Sequence, residues 1–209
     1  MPHQYQGRPA PKSMSPLEAR AYYKKEHEAL INSHHGRVIY TDGGCTKRSD
    51  KNGYDGAFAC VDTFFNQGDP TSLAAYAGFS AHATNIKAEM LGVFHALLLL
   101  RGDPGLIMTD SEFAVRSIYE YRRTWTYHPA KNIFTSRSAG KDIANSDLWR
   151  FIFHELDGNS NVRVQWVKAH SGNYYNHVAD EICTSVLRHR KTNVPSLAGK
   201  TKPFPEIFP

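Results

Sequence analysis

The chain has 209 residues, 41% hydrophobic and 22% charged, which is typical of one ordinary globular domain and excludes a wholly disordered chain. Its net charge of +5 favours polyanionic partners such as nucleic acid. Three cysteines without a CxxC pair exclude a disulfide framework and a cysteine zinc site, and no stretch is apolar enough for a secretory signal or a membrane span. We therefore expect a soluble protein of a reducing compartment, the cytoplasm or the nucleus, with no membrane partner.

Residues 1–36 are expected to form an N-terminal arm followed by one helix. The arm is rich in Pro, Gln, Ser and His, and the sequence then changes to LEARAYYKKEHEALI. Ser15 is the predicted N-cap, Pro16 the first helical residue and Glu18 the acid of a capping box. The YYKK segment of this helix could contact nucleic acid, pack on the domain or remain mobile.

Residues 37–190 are expected to form the main domain. Three strands come first, separated by turn signals, and predict an antiparallel meander: RVIY (37–40), GAFACVDTFF (56–65) and LAAYAGF (73–79). The second part mixes helices and strands: a helix over 85–100, the strand LIMTD (106–110), the helices SEFAVRSIYEY (111–121) and SDLWRFIFHEL (146–156), the strand VRVQWV (162–167) and a helix over 175–189. This order predicts an α/β domain with a mixed sheet. Residues 191–209 form a Pro-rich tail without a periodic signal.

Four acidic residues occupy unusual positions along these elements. Asp42 follows an apolar strand, Asp110 ends another, Glu89 lies within a core-facing helix and Asp180 lies in the last helix. Carboxylates that converge in a buried site repel one another, and hard divalent cations such as Mg²⁺ relieve that repulsion. Two such ions could hold the attacking water and the leaving oxygen of an in-line displacement.

Each acid also has a simpler explanation. Asp42 could be a turn residue before Gly43 and Gly44, and Asp110 could cap the helix that follows it. Glu89 could face solvent, and Asp180 could interact only with the helix dipole. Taken one at a time, the four positions leave these alternatives open.

Five motifs in chain order favour the metal site. They are YTDGGC, TNIKAEM, MTDSEFAV, VKAHSG and NHVADEIC, and NSDLW precedes the last strand. Together they resemble the type 1 ribonuclease H family over about residues 37–187. The resemblance implies a ribonuclease H-like fold with a five-stranded mixed sheet, in which three antiparallel strands are followed by two parallel ones and helices cover both faces.

The resemblance also implies a mechanism. Asp42, Glu89, Asp110 and Asp180 would hold two Mg²⁺ ions, for which Mn²⁺ could substitute, and His170 would help to protonate the leaving group or to release product. The substrate would be an RNA–DNA hybrid, cut in its RNA strand to leave 5′-phosphate and 3′-hydroxyl ends. We expect a monomer.

Further residues are expected to contact the hybrid. Asn85 matches the first of two family asparagines, whereas Ile86 replaces the second and Glu112 stands where the family often has Gln. The remaining candidates near the acids are Gly43, Gly44, Cys45 and Thr84, with Thr84 at a DNA-phosphate pocket and Arg48 as a weaker addition.

Residues 121–141 interleave aromatic and basic side chains and resemble the family's basic handle, which binds the DNA strand. The candidates are Tyr121, Arg122, Arg123, Trp125, Lys131, Arg137 and Lys141. Tyr121 and Trp125 could instead pack as part of a helix, and the arginines could form a solvated face.

Two other functions compete with a hybrid-cutting nuclease. The same fold could serve as a catalytically inactive nucleic-acid-binding module, but such proteins usually lack one of the acids. A related nuclease or transposase could act on DNA, but most of those branches lack the HSG loop. All four acids and the loop are present here.

Overall fold

A computed structural model describes residues 12–48, 50 and 52–190, together with the backbone of 201–203. The first element is helix α1 (Pro16–Asn32). Its capping box is the predicted one, because Glu18 N lies 3.4 Å from Ser15 Oγ and Ser15 N donates to Glu18 Oε2 at 2.8 Å. The predicted start of the helix is therefore confirmed, whereas the arm before residue 12 lies outside the described residues.

The predicted five-stranded mixed sheet is confirmed. Strands β1 (His35–Lys47), β2 (Tyr54–Asn66) and β3 (Asp69–Ser80) form the antiparallel meander, and β4 (Gly105–Thr109) and β7 (Val162–Trp166) extend it in parallel from β1. A short strand that the sequence did not predict, β8 (Thr201–Pro203), pairs with β3 and gives the order β7-β4-β1-β2-β3-β8. The rest of the predicted tail lies outside the described residues.

Helices cover both faces of this sheet, as predicted. Helices α2 (Asn85–Leu100), α3 (Glu112–Tyr119) and α4 (Ser146–Gly158) pack on one face, where Ile39 and Cys60 point. Helix α5 (Tyr174–His189) and the end of α1 pack on the other, where Val38 and Tyr40 point. Because neighbouring residues of a strand point to opposite faces, β1 contributes to both cores. None of the described helices is long and apolar enough to cross a bilayer.

The basic segment contains no α-helix, so the alternative in which Tyr121 and Trp125 pack as part of a helix is wrong. Residues Tyr121–Thr124 form one 3₁₀ turn, and β5 (Trp125–His128) then pairs antiparallel with β6 (Ile133–Ser136) in a hairpin. Pro129 opens the 3₁₀ turn between these strands. Alternating aromatic residues suit a strand with one face against the core, so the local pattern favours the hairpin over a helix.

Candidate active site

Asp42 lies within β1 and not in a turn. The strand continues to Lys47, and Asp42 pairs with Ala59 of β2. A Cβ atom at Gly43 would lie 2.2 Å from the backbone nitrogen of Glu89, so only glycine lets β1 approach α2 this closely. The turn interpretation of Asp42 is therefore wrong, because the glycine next to it serves the packing of strand against helix.

Three carboxylates from three different elements meet beside Gly43. Asp42 on β1, Glu89 on α2 and Asp110 directly after β4 each offer an oxygen atom, and these atoms lie within 4.8 Å of one another. Across residues 12–48, 50 and 52–190, this is the one group of three His, Cys, Asp or Glu side chains arranged to hold a metal ion.

Asp110 does not cap the helix that follows it. Ser111 takes that role, because its Oγ accepts a hydrogen bond from Ala114 N at 3.3 Å. The Asp110 carboxylate instead accepts from Asn176 Nδ2 at 3.2 Å, and its main-chain oxygen accepts from Trp166 Nε1 at 3.1 Å. The side chain is therefore directed into the carboxylate cluster.

Asp180 and His170 lie at the edge of the cluster. Asp180 is outside the group of three, but it is close enough for its charge to raise the pKa of Asp42 and of Asp110. It lies beyond the first turn of α5, so it is not placed to serve that helix dipole. His170 Nδ1 lies 3.9 Å from Asp180 Oδ2, and the His170 side chain is 78% exposed. Its φ of 53° is unusual for a residue other than glycine.

Burial and mutual repulsion make the cluster reluctant to ionise without a cation. Burial, with the charges of Asp110 and Asp180, raises the pKa of Asp42 to about 7. Burial, with Asp42 and Asp110, raises the pKa of Glu89 to about 9. Burial also raises the pKa of Asp110. The hydrogen bond from the Gly43 amide lowers the pKa of Asp42 and of Glu89, but it does not offset their burial.

The residues present fit a hard divalent cation. Glu89 Oε2 is buried and has no hydrogen-bond partner within the described part of the chain, so this oxygen is available to a ligand. All three converging groups are carboxylates, the donor type that Mg²⁺ and Mn²⁺ prefer. A bound cation would compensate both the burial of these acids and their repulsion.

Two residues that support the carboxylate cluster were not predicted from the sequence. Asn176 is 3% exposed and donates to Asp110, and Trp166 holds the main chain at the same residue. For Asn176 a signal existed, because it precedes Asp180 by four residues and so lies on the same face of α5. For Trp166 no local signal existed, because its partner is 56 residues away in the sequence.

The substrate candidates at the start of α2 are accessible. Thr84 is the N-cap, with its Oγ1 accepting from Lys87 N at 3.3 Å, and Asn85 is the first helical residue. Both are exposed, and Ile86 is 46% exposed. Arg48, proposed as a weaker phosphate contact, instead pairs with Asp50 and Asp55, each at 3.0 Å.

Near the active site, Gly43 is buried against α2, and Gly44 faces α5 with a Cβ position 3.4 Å from Cys183 Sγ. Cys45 is half-buried. These contacts give both glycines a packing role whatever else they touch.

Trp125 lies in the core, which corrects its expected role as a substrate contact. It is 8% exposed and packs edge-to-face on Trp149 with ring centroids 5.8 Å apart. Arg122 is also engaged within the domain, because it pairs with Asp157 at 2.8 Å and lies 4.6 Å above the Phe153 ring. Basic residues that stay exposed on this segment are Arg123, Lys131, Arg137 and Lys141, whereas Tyr121 is half-buried against the core.

The comparison with known families agrees with this geometry. Residues 34–188, about three quarters of the chain, match the family model described as RNase H. The chain belongs to the ribonuclease H family. It is therefore a hydrolase, an endonuclease of RNA–DNA hybrids in a family whose general mechanism uses two metal ions.

Curated relatives of this ribonuclease H chain carry the same family name. The Ribonuclease H of Treponema pallidum is 29% identical over 76% of this chain and 94% of its own length. Those of Neorickettsia sennetsu and Thermosynechococcus vestitus are 31% and 30% identical, over 69% and 82% of this chain and 88% and 98% of their own lengths.

Solved structures share the fold at lower identity. A foamy viral protease–reverse transcriptase in complex with double-stranded DNA aligns with a TM-score of 0.60 at 20% identity, over 74% of this chain and 95% of that one. LC9-RNase H1, a type 1 RNase H with the type 2 active-site motif, aligns with a TM-score of 0.57 at 17% identity, over 82% and 88%. These likenesses establish the ribonuclease H-like fold.

Proposed function

We propose that the chain hydrolyses the RNA strand of RNA–DNA hybrids at the cluster of Asp42, Glu89, Asp110 and Asp180. The convergence of three partly buried carboxylates, with Glu89 Oε2 unpartnered among the described residues, is the observation that carries this proposal. We assign two Mg²⁺ ions to these residues, with Mn²⁺ as a substitute. When bound, such ions would supply activation of a water molecule and stabilisation of the departing 3′ oxygen, so that the products would carry 5′-phosphate and 3′-hydroxyl ends.

The side chains in and around the cluster have separate roles. Asp42, Glu89 and Asp110 provide the oxygen ligands, and Asn176 holds the Asp110 carboxylate in one orientation through its hydrogen bond. Asp180 lies on the open side, next to His170. The exposed His170 imidazole is free to approach the leaving oxygen and to deliver a proton there.

We assign recognition of the hybrid to the surface around the cluster. Thr84 and Asn85 are exposed one helical turn before Glu89, where Thr84 suits a DNA phosphate and Asn85 an RNA minor-groove contact. Ile86 provides no hydrogen-bonding group at the next position, so this chain depends on fewer polar contacts there. Gly44 and Cys45, which are half-buried, complete this surface, and the buried Gly43 supports it through its packing against α2.

The physiological setting completes the proposal. The three cysteines are all free, which supports a reducing compartment, the cytoplasm or the nucleus. We propose that the enzyme acts as a monomer, because all four acids come from one chain. Sedimentation with and without a hybrid tests the oligomeric state.

The division into an arm and helix (1–36), a catalytic domain (37–190) and a tail (191–209) stays a prediction.

Incubation with labelled duplexes tests the proposed activity. We expect the chain to cut the RNA strand of a hybrid in Mg²⁺ or Mn²⁺, to lose this activity in EDTA, and to leave RNA and DNA duplexes intact. The 2′-hydroxyl is the chemical difference that separates these substrates. Equal cleavage of a DNA duplex would indicate the DNA-acting branch of the fold, and binding without any cleavage would indicate an inactive module.

Arg123 and Arg122 provide a matched pair for testing the basic segment. We expect Arg123→Ala to weaken hybrid binding about two- to fivefold and to reduce its dependence on salt, because an exposed arginine next to a phosphate releases counterions. Arg122→Ala should act on stability instead, because Arg122 pairs with Asp157. KM measured at several salt concentrations, together with thermal unfolding, separates the two effects. An unchanged salt slope for Arg123→Ala would exclude that residue from the binding surface.

A further inference from the structure

One face of α1 is held against the domain by side chains spaced four residues apart. Ile31 is 6% exposed and lies in the core beside α5. The His27 and Tyr40 rings pack with centroids 5.7 Å apart, and His27 Nε2 lies 3.2 Å from the Tyr40 hydroxyl. Tyr40 also stacks on Tyr175 of α5 at 5.2 Å. Tyr23 comes one turn earlier on the same face of α1.

Tyr23 packs on a residue that holds the active site. Its ring meets Trp166 edge-to-face, with centroids 5.4 Å apart and an angle of 84°. Trp166 is the last residue of β7, and its indole N–H donates to the main-chain oxygen of Asp110 at 3.1 Å. Two successive contacts therefore connect α1 to the backbone of a carboxylate in the cluster.

The same turn of α1 also borders the loop that carries His170. Gly172 has no side chain, but a Cβ atom placed on its backbone would lie 3.6 Å from Lys24 Cδ, at an ordinary van der Waals distance. This loop runs from the end of β7 to the start of α5, the helix that contains Asp180. Helix α1 thus lies against both the support of Asp110 and the His170 loop.

The charge of α1 favours this supporting role over a contact with nucleic acid. Its 17 residues contain three basic and three acidic side chains, and Lys24 pairs with Glu28 at 3.7 Å. The helix also precedes residues 34–188, the segment that matches the family. Helix α1 therefore lies outside the region that matches the family model.

We infer that Tyr23 is a positioning residue for the active site, and that α1 belongs to the working enzyme. The inference rests on the proposed function, because it assigns Tyr23 a role in the same carboxylate cluster. The Tyr23 ring restricts Trp166, Trp166 restricts the Asp110 main chain, and the Asp110 carboxylate is thereby kept in register with Asp42 and Glu89. Small displacements of a catalytic group reduce turnover more than substrate binding.

Three variants of the full chain test this role: Tyr23→Ala, Tyr23→Phe and, as a control on an exposed position of α1, Lys25→Ala. We expect Tyr23→Ala to lower kcat about tenfold with KM nearly unchanged, and to weaken Mn²⁺ binding several-fold in calorimetric titration without substrate. Tyr23→Phe should match the wild type in both measurements, because the edge-to-face contact needs only the ring. Lys25→Ala should also match it.

The outcomes separate this inference from the proposed function. If the wild type cuts hybrids but Tyr23→Ala retains wild-type kcat and Mn²⁺ affinity, the positioning role is wrong and the nuclease assignment stands. If the wild type cuts nothing, the proposed function fails, and the Mn²⁺ titration still tests the effect of Tyr23 on the cluster. A raised KM with unchanged kcat in both Tyr23→Ala and Lys25→Ala would make α1 a nucleic-acid contact instead. If Tyr23→Ala does not fold, Tyr23→Leu removes the ring but keeps apolar volume, and the same measurements decide.

Discussion

Asp110→Asn is expected to reduce hybrid cleavage by at least about 10³-fold, because it removes one charged oxygen ligand from a site whose ions supply several kcal/mol of transition-state stabilisation. Asparagine has nearly the same shape as aspartate, and its carbonyl oxygen can still accept from Asn176 Nδ2. The loss should therefore appear in kcat with little change in fold. Single-turnover cleavage of a labelled hybrid in Mg²⁺ measures it.

Stability provides the second half of this prediction. Asp110 lies among acids that repel one another, so a neutral residue there should leave the metal-free protein at least as stable as the wild type. Asp69→Asn is the matched control, since Asp69 is exposed at the far end of β3 and the same change there should alter neither activity nor melting temperature. Retention of a tenth of wild-type activity, or a melting temperature well below wild type, would contradict the role of Asp110.

The metal-free protein is expected to lose about 4 kcal/mol of unfolding free energy between about pH 6.5 and about pH 9. Burial raises the pKa of Asp42 to about 7 and of Glu89 to about 9. A carboxyl whose pKa is higher in the folded than in the unfolded state stabilises the fold below its unfolded pKa, and this contribution is lost as pH rises through the folded pKa. Stability should therefore decrease across this window.

Saturating Mg²⁺ should oppose this loss, because a cation favours the ionised carboxylates. The stabilisation by Mg²⁺ should therefore grow with pH across the same window. Below about pH 6.5 two histidines mask this trend. Burial lowers the pKa of His27 and His95 to about 4, so their contribution to stability increases as pH rises towards about 6.5, opposite to that of the carboxylates.

Denaturant unfolding in EDTA and in Mg²⁺ at several pH values checks this prediction. Glu89→Gln is the informative variant, because it removes the group with the highest pKa in the cluster. It should flatten the pH dependence in EDTA and reduce the stabilisation by Mg²⁺. A wild-type protein whose stability in EDTA is constant across this window would indicate that the carboxylates are not closely coupled.

The fold and the main acids could be predicted from the sequence because their signals are local. Alternating apolar residues give the strands, three- and four-residue spacing gives the helices, and Ser15 with Glu18 gives the start of α1. Each motif around Asp42, Glu89 and Asp110 spans only a few residues, and the resemblance of the ordered motifs to the ribonuclease H family indicated one site. The structure brings these three together.

Local patterns were misleading where a residue's role depends on what lies across the fold. Gly43 suggested a turn, but it is required because α2 lies directly against β1. Trp125 lies among basic residues and therefore suggested a binding surface. The sequence does not reveal that Trp149 covers the Trp125 ring in the fold. Arg122 is as basic as Arg123, and only the tertiary structure distinguishes them, because it places Asp157 and the Phe153 ring against Arg122.

The sequence by itself determined the family, the order of the elements and the identity of the acids, because each depends on residues that are neighbours along the chain. Tertiary structure alone decided which groups support those acids. Asn176, Trp166 and Tyr23 are distant from Asp110 in sequence and reach it through contacts between separate elements. Burial was likewise decided by the fold, and it is burial that raises the pKa of Asp42 and Glu89 and makes a divalent cation the natural partner of this site.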